Sequence, residues 1–413
     1  MTNTLATASL GEDPLPRCAR ALARFTGLAA RSFVSLSLVL LLASCSSGAS
    51  GDDVQSQSEG LATGTYENPL LGAQPVLDTT QCPDPNVRQY GANYFMVCTS
   101  DAGGRANAFP IHWSSDLVHW HFIAYVFTPA SHPRWARAPG SVYTDGTSTH
   151  LTDYWAPEIN RSGDKWILTF AATKSGTTAM AVGVATADAI AGPWTASSEP
   201  LVAPGDGSIP GPGDANSGRI DASLLREPTS GDLYHDPNTN NLYLYYIYQP
   251  RWVHVTQLTS DGLSLVKGAD RELQLTSGGA FTATLAWEKT TIEGVEAHYV
   301  DGQFVLLYSG AGTWDGTYAV GAARSSSPEG PFTKHGNPIL QTKPGGSLVG
   351  PGHSSQWVRG PDGSDYLLYH TQFRDLEGSG GPRVLDLSKL TFDADGWPVV
   401  GDGYPTEAPL SVP

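Results

Sequence analysis

The sequence is short of positive charge: 24 Lys and Arg stand against 40 Asp and Glu, a net charge of −16. A polyanionic partner such as nucleic acid would be repelled rather than steered in, so a neutral ligand is expected. It also lacks a hydrophobic run long enough to span a bilayer, because the most apolar stretch, Phe33 to Ala43, is too short. Unbroken helix-forming sequence is scarce. With 46 Gly, 30 Pro and 10% aromatic residues, helices would be interrupted repeatedly, whereas many short strands joined by tight turns fit. The 413 residues could hold two or three domains, but all-β folds often use such lengths for one.

The N-terminus reads as an export signal. Arg17, Arg20, Arg24 and Arg31 precede the apolar run, and Leu42-Ala43-Ser44-Cys45 closes it, the layout of a basic region, a hydrophobic region and a small-residue cleavage site. Those last four residues resemble a bacterial lipobox, which implies cleavage after residue 44 and lipidation of Cys45. Membrane attachment is then expected only through that lipid. Residues 45–65, rich in Ser, Gly, Asp and Gln, read as a solvated tether, leaving 66–413 as the globular domain. Cys82 and Cys98 flank a turn-like Tyr90-Gly91-Ala92-Asn93, so their spacing permits a cross-strand disulfide in an oxidising location, with two buried thiols as the alternative.

From about Tyr66 an apolar or aromatic run recurs every 60 to 75 residues, each after a turn with Gly, Asn or Asp. The runs are Tyr94–Val97, Trp166–Phe170, Leu242–Tyr246, Phe304–Tyr308 and Tyr366–Tyr369. A second echo, Ala191-Gly192-Pro193-Trp194 and Glu329-Gly330-Pro331-Phe332, marks the same corner twice. Five comparable multi-strand units predict an all-β, five-bladed β-propeller, whose inner strands meet around a central channel. A pair of β-sandwiches would not group its turns in fives. No room remains for a second large domain, and Leu385 to Pro413 is expected to close the last blade or pack beneath it.

Four short motifs occur in order: Cys82-Pro83-Asp84-Pro85-Asn86, Tyr154-Trp155-Ala156-Pro157-Glu158, Arg219-Ile220-Asp221-Ala222-Ser223 and Thr291-Ile292-Glu293-Gly294, followed by Gly350-Pro351-Gly352-His353-Ser354. Together with Ser114-Ser115-Asp116-Leu117-Val118-His119-Trp120, this ordered set resembles glycoside hydrolase family 43, from Asn68 to about Phe373. The resemblance implies an inverting glycosidase acting on arabinose- or xylose-containing plant polysaccharides. Inversion needs one carboxylate to activate water and one carboxylic acid to protonate the leaving oxygen, far enough apart to hold that water. Strands of different blades can each point one acid at a shared axial pocket.

By this resemblance Asp84 is the general base, Glu293 the general acid and Asp221 the third acid, a like charge that orients Glu293. Asp236 is the rival of Asp221 but lacks the preceding Ile; Glu296 and Glu288 are the rivals of Glu293. The family pattern has Pro two residues after the acid, where this chain has Val295. His353 is implied as a ligand of a structural calcium ion on the propeller axis. Calcium prefers oxygen ligands, however, so a hydrogen-bonded His is the alternative reading. His370 is expected to pack beneath the site. Trp113 and Trp155 offer flat faces for sugar stacking or blade-core packing, and Glu158 is given no proton-transfer role. Arabinan or arabinoxylan is the expected substrate, with β-xylosidase action or a non-catalytic carbohydrate-binding propeller as alternatives. A fructan hydrolase would show Gly where Val87 stands, and an Arg-Asp-Pro motif absent from this chain. A monomer is expected.

Overall fold

The structure is a computed structural model that describes residues 64–70, 81–99, 106–138, 151–203, 217–227, 230–378 and 382–413. The expected leader, Cys45 as the expected lipidation site and nearly all of the expected tether lie outside the described residues. Among those described there is no α-helix, only short 3-10 turns such as Ala286–Glu288 and Arg374–Leu376, and no helix long and apolar enough to cross a membrane.

After a short strand β1 (Thr65–Tyr66), the chain builds five antiparallel sheets in sequence order. Blade one holds β2 (Asn86–Tyr90), β3 (Asn93–Val97), β4 (Ala108–Ser114) and β5 (His121–Phe127). Blade two holds β6 (Tyr154–Ser162), β7 (Lys165–Thr173), β8 (Met180–Ala187) and β9 (Thr195–Ala196). Blade three holds β10 (Arg219–Leu224), β11 (Leu242–Tyr248), β12 (Trp252–Leu258) and β13 (Arg271–Glu272). Blade four holds β14 (Ile292–Val300), β15 (Gln303–Gly310), β16 (Ala319–Ser325) and β17 (Thr333–Lys334). Blade five holds β18 (Leu348–Gly352), β19 (Val358–Arg359), β20 (Asp365–Phe373), β21 (Arg383–Phe392) and β22 (Pro398–Val400), and β23 (Leu410–Ser411) follows.

The five runs singled out from sequence are the second strands of the five pleated units, β3, β7, β11, β15 and β20. Each is packed on both faces by neighbouring sheets, which is why it reads as a continuous apolar run instead of an alternating one; β11, Leu-Tyr-Leu-Tyr-Tyr-Ile-Tyr, is buried at every position. Five hydrophobic clusters fill the gaps between blades. Phe95, Phe109 and Phe127 meet Trp166 and Phe170 between blades one and two, and Leu224 and Leu244 meet Ile167 and Val182 between two and three. Tyr245 and Ile247 meet Leu306 and Tyr308, then Leu307 meets Leu367 and Tyr369. The ring closes where Leu368, Leu385 and Leu387 meet Val87, Tyr94 and Met96. Each fully buried large apolar side chain contributes about 1.5–3 kcal/mol.

The chain ends secure that last junction. β1 pairs with β23, Asn68 exchanges two 3.0 Å hydrogen bonds with the backbone of Leu387, and the Cys82 N–H donates to the Arg383 carbonyl at 3.1 Å. The tail from Leu385 thus does close the fifth blade, through β21 and β22. Cys82 and Cys98 form a disulfide, with Cα atoms 5.2 Å apart. The two Gly-Pro-aromatic corners are alike in structure, with Gly192 and Gly330 at positive φ and Trp194 and Phe332 buried.

Candidate active site

The innermost strands share one local device. In β6, β10 and β14 the pairing to the next strand shifts between Trp155 and Glu158, Ile220 and Ser223, and Glu293 and Glu296. The first residue inside each bulge has positive φ: Ala156 at 43°, Asp221 at 54° and Gly294 at 58°. Asp84 at 51°, just before β2, and His353 at 42°, just after β18, occupy the same register in the first and fifth blades. There the flanking bonds run from the Thr99 N–H to the Pro83 carbonyl and from the Ser355 N–H to the Leu368 carbonyl. A bulge bends its strand and re-aims a side chain, and outside Gly the left-handed region is easiest for Asp and Asn.

Four of these kinked N–H groups are caught by the blade before their own. Ala156 donates to Thr99 Oγ1 at 2.7 Å, Gly294 to Asp221 Oδ2 at 2.7 Å, His353 to Ser309 Oγ at 2.8 Å, and Asp84 to His370 Nδ1 at 3.2 Å. The kinks aim Asp84, Asp221 and His353 at one cavity of about 210 Å³, which Glu293, Trp155 and Ile220, the residues preceding three of the kinks, also line. Gln249, Thr313, Trp314 and Arg383 complete the wall.

The electrostatics differ among the three acids. Burial would raise the Asp84 carboxyl, but Arg383, whose Nη1 donates to Oδ1 at 2.6 Å, outweighs it with help from His353. Asp84 is therefore held well below the usual carboxylate range and is ionised. His353 Nδ1 lies 3.3 Å from the same oxygen. Burial and the Arg383 charge hold His370 well below the usual imidazole range, so its neutral Nδ1 accepts the Asp84 N–H. Asp221 is pushed up to about 7, by burial first and then by the like charges of Glu293 and Asp84, against the opposing pull of His353 and of the Gly294 N–H. Glu293 Oε1 accepts from Thr313 Oγ1 at 2.7 Å, and burial, then the nearness of this carboxylate, holds the Tyr318 phenol well above the usual tyrosine range.

The rival acids lie elsewhere. Asp236 caps a turn, accepting from the Asn238 and Thr239 N–H groups at 2.9 Å and from the Tyr243 hydroxyl at 2.7 Å. Glu288 is fully buried and paired with Lys334 Nζ at 2.6 Å. Glu296 follows the bulge and points into the axial core, where its Oε2 accepts from Ser223 Oγ at 3.2 Å. Val295, buried at 1% exposure, fills the bulge position that Pro85 and Pro157 occupy in other blades, so its departure from the family pattern leaves the bulge register in place. Trp155 lines the cavity. Trp113 does not: it sits in β4, away from the axis, buried between blades and stacked on His121 at a centroid distance of 4.9 Å. Glu158 is buried beneath the site, accepting from Asn160 Nδ2 and the Leu224 N–H.

Among the described residues no group of three or more His, Cys, Asp or Glu is arranged to hold a metal. No step below depends on an ion at His353.

Two elements of this wall carried no sequence signal. Arg383 is a lone cation between Pro382 and Val384, almost 300 residues from the carboxylate it holds. Thr313 and Trp314 belong to a loop whose only cue is its turn composition, Gly312 to Gly316.

Residues 73–398 match the family described as glycosyl hydrolases family 43. The chain belongs to that family. It is thus a glycoside hydrolase, of a family that inverts the anomeric configuration. This family 43 enzyme is 23% identical to the extracellular endo-α-(1→5)-L-arabinanase 2 of Bacillus subtilis (strain 168), over 81% of the chain and 73% of that protein. It is 27% identical to the arabinoxylan arabinofuranohydrolase of the same organism, over 88% of the chain and 69% of the relative. A thermostable family-43 glycoside hydrolase of known crystal structure superimposes with a TM-score of 0.63 at 24% identity, covering 84% of this chain and 99% of the other.

Proposed function

We propose that this enzyme hydrolyses α-L-arabinofuranosyl linkages of arabinan or arabinoxylan, with Asp84 as base, Glu293 as acid and Asp221 as the residue that orients the acid. The observation that carries the assignment is the convergence of three carboxylates from three blades on one cavity, one of them, Asp84, held ionised by Arg383. In the reaction a water oxygen attacks the anomeric carbon while Asp84 accepts its proton. The glycosidic C–O bond breaks, and Glu293 passes its proton to the departing oxygen, so the configuration inverts in one displacement. Asp221 acts through the backbone: by accepting the Gly294 N–H it fixes the bulge from which Glu293 projects. Trp155 supplies an apolar face for the sugar ring.

Support for arabinose comes from relatives named as arabinanases and arabinofuranosidases, and β-xylosidase action is the second reading, since a relative named β-xylosidase is 26% identical over 66% of the chain. Export as a lipoprotein anchored at Cys45 belongs to the same proposal, in line with relatives named as extracellular. A calcium ion held through His353 is a separate proposal, tested by melting the protein in calcium and in EDTA.

The deciding experiment is proton NMR of anomeric signals released from linear arabinan, branched arabinan, arabinoxylan and xylo-oligosaccharides. Prompt appearance of the inverted anomer of arabinose supports the reading; release of xylose alone moves the enzyme to the xylosidase alternative. A retained anomer sinks the role given to Asp84.

A further inference from the structure

The loop between β15 and β16, residues 311–318, is fastened at many points. Asp315 accepts from the Thr317 N–H at 3.1 Å and from Lys289 Nζ at 3.0 Å. Lys289 also bonds Thr317 Oγ1 at 2.7 Å, the Thr342 hydroxyl holds the Gly316 carbonyl at 2.6 Å, and Gln372 Nε2 holds the Thr313 carbonyl at 3.2 Å. Gly312 fits only without a side chain, because a Cβ there would lie 2.5 Å from the Asp315 carboxylate. A surface loop so tied down has paid its ordering cost before any ligand arrives.

What the loop presents to the site is two hydroxyl side chains: Thr313 Oγ1 donates to Glu293 Oε1 at 2.7 Å, and the Tyr318 phenol stands beside the same carboxylate. Tyr318 is itself immobile, wedged against Gly352, where any Cβ would fall 1.9 Å from its ring, and stacked on His370 at 5.8 Å. Burial, and then the neighbouring Glu293, keep its phenol protonated and hence a donor. A hydroxyl can donate to a carboxylate and accept from a carboxylic acid, so such a pair can hold Glu293 in one orientation through both protonation states.

We infer that Thr313 and Tyr318 are positioning residues which together clamp Glu293 toward the leaving-group oxygen, making this loop part of the machinery for protonating the departing sugar. The inference rests on Glu293 being the general acid. It assigns both residues an effect on one step only, the one whose difficulty depends on the leaving group. Sugars and alkoxides leave slowly without a proton, whereas an activated aryl oxide leaves without one.

The test compares wild type with Thr313→Val, Tyr318→Phe, the double variant, Thr313→Ser and Glu293→Gln, on an arabino-oligosaccharide and on a nitrophenyl arabinofuranoside. Thr313→Val and Tyr318→Phe are each expected to lower kcat on the oligosaccharide about tenfold with KM little changed, the double variant by more, and the nitrophenyl substrate by less than about threefold. Thr313→Ser should restore the rate. Glu293→Gln serves as the reference, with a large loss on the oligosaccharide only. If Glu293→Gln shows that selectivity and the hydroxyl variants slow both substrates equally, the clamp is refuted while the acid stands. If Glu293→Gln slows both substrates equally, the acid assignment itself fails and the clamp with it. Melting temperatures within a few degrees of wild type, with near-UV dichroism, exclude misfolding as the cause.

Discussion

Replacing Arg383 with Met should move the acid limb of the kcat/KM profile to higher pH. Arg383 donates to Asp84 at 2.6 Å, and both side chains are 8% exposed. Breaking a buried pair by removing one partner costs about 3–5 kcal/mol, and one pH unit corresponds to about 1.4 kcal/mol, so Asp84 should bind its proton about two to three and a half units more readily. Part of this is recovered by His370, because Arg383 is among the groups that hold the imidazole neutral. With that charge gone, His370 takes up a proton more easily and offers Asp84 a replacement cation, which makes about two units the expected displacement. The sign follows from the lowered Asp84 group: its anion persists far into acid in the wild type, and activity lost on acidification in Arg383→Met returns as pH rises. The assay is initial rate at low substrate from pH 3 to 8 on a nitrophenyl arabinofuranoside, where kcat/KM reports the free enzyme. An acid limb that does not move would refute the claim that Arg383 sets the charge of Asp84, even if KM changes.

Three further outcomes are expected. Gly294→Ala puts a Cβ 3.0 Å from His353 Cγ at a φ of 58°, so it should cost about 1–2 kcal/mol in urea unfolding and lower kcat by displacing Glu293. Asp386 is fully buried; its Oδ2 accepts from Thr371, its Oδ1 has no partner among the described residues, and burial raises it to about 8. Folded protein therefore retains a proton that unfolded protein has lost, and stability falls as pH rises from about 4 to 8, by at most about 1.4 kcal/mol per unit; Asp386→Asn should flatten that slope in melting curves. Opening the Cys82–Cys98 bond, a sequence separation of 16, with Cys98→Ser should cost about 3 kcal/mol in urea unfolding, and an unchanged midpoint would argue against its presence in solution.

The architecture was legible because its signal is local and repeated. β7 or β15 announces itself as an apolar run between turns, and five such runs at similar spacing leave few folds to choose from. The meeting of Asp84, Asp221 and Glu293 at one cavity was legible for a related reason: each lies in or beside a bulge whose short motif is contiguous in sequence. Trp113 marks the limit of this reasoning. An aromatic in a blade looks the same in sequence whether it faces the axis or the neighbouring sheet, and only its strand's rank from the axis decides. Arg383 was not legible, since its partner lies 299 residues away and only the propeller's closure brings the two together; Thr313 lies 20 residues from Glu293, in the loop after the next strand of the same blade, where no local pattern marks it or Tyr318.

The five matched kinks divide the molecule's labour between scaffold and chemistry. Backbone geometry and the inter-blade latches recur around the ring, while the side chain placed at each kink is free to differ: Asp, Ala, Asp, Gly and His in turn. The site can thus be regarded as a dial with five addresses, of which two carry no polar group. Ala156 is the more accessible of these to redesign, because its kink already tolerates a Cβ and the residue before it, Trp155, lines the cavity. New acids, bases or sugar-selective groups could be written there without rebuilding a strand, and a fold with such an address system can change what it cleaves faster than it changes how it stands.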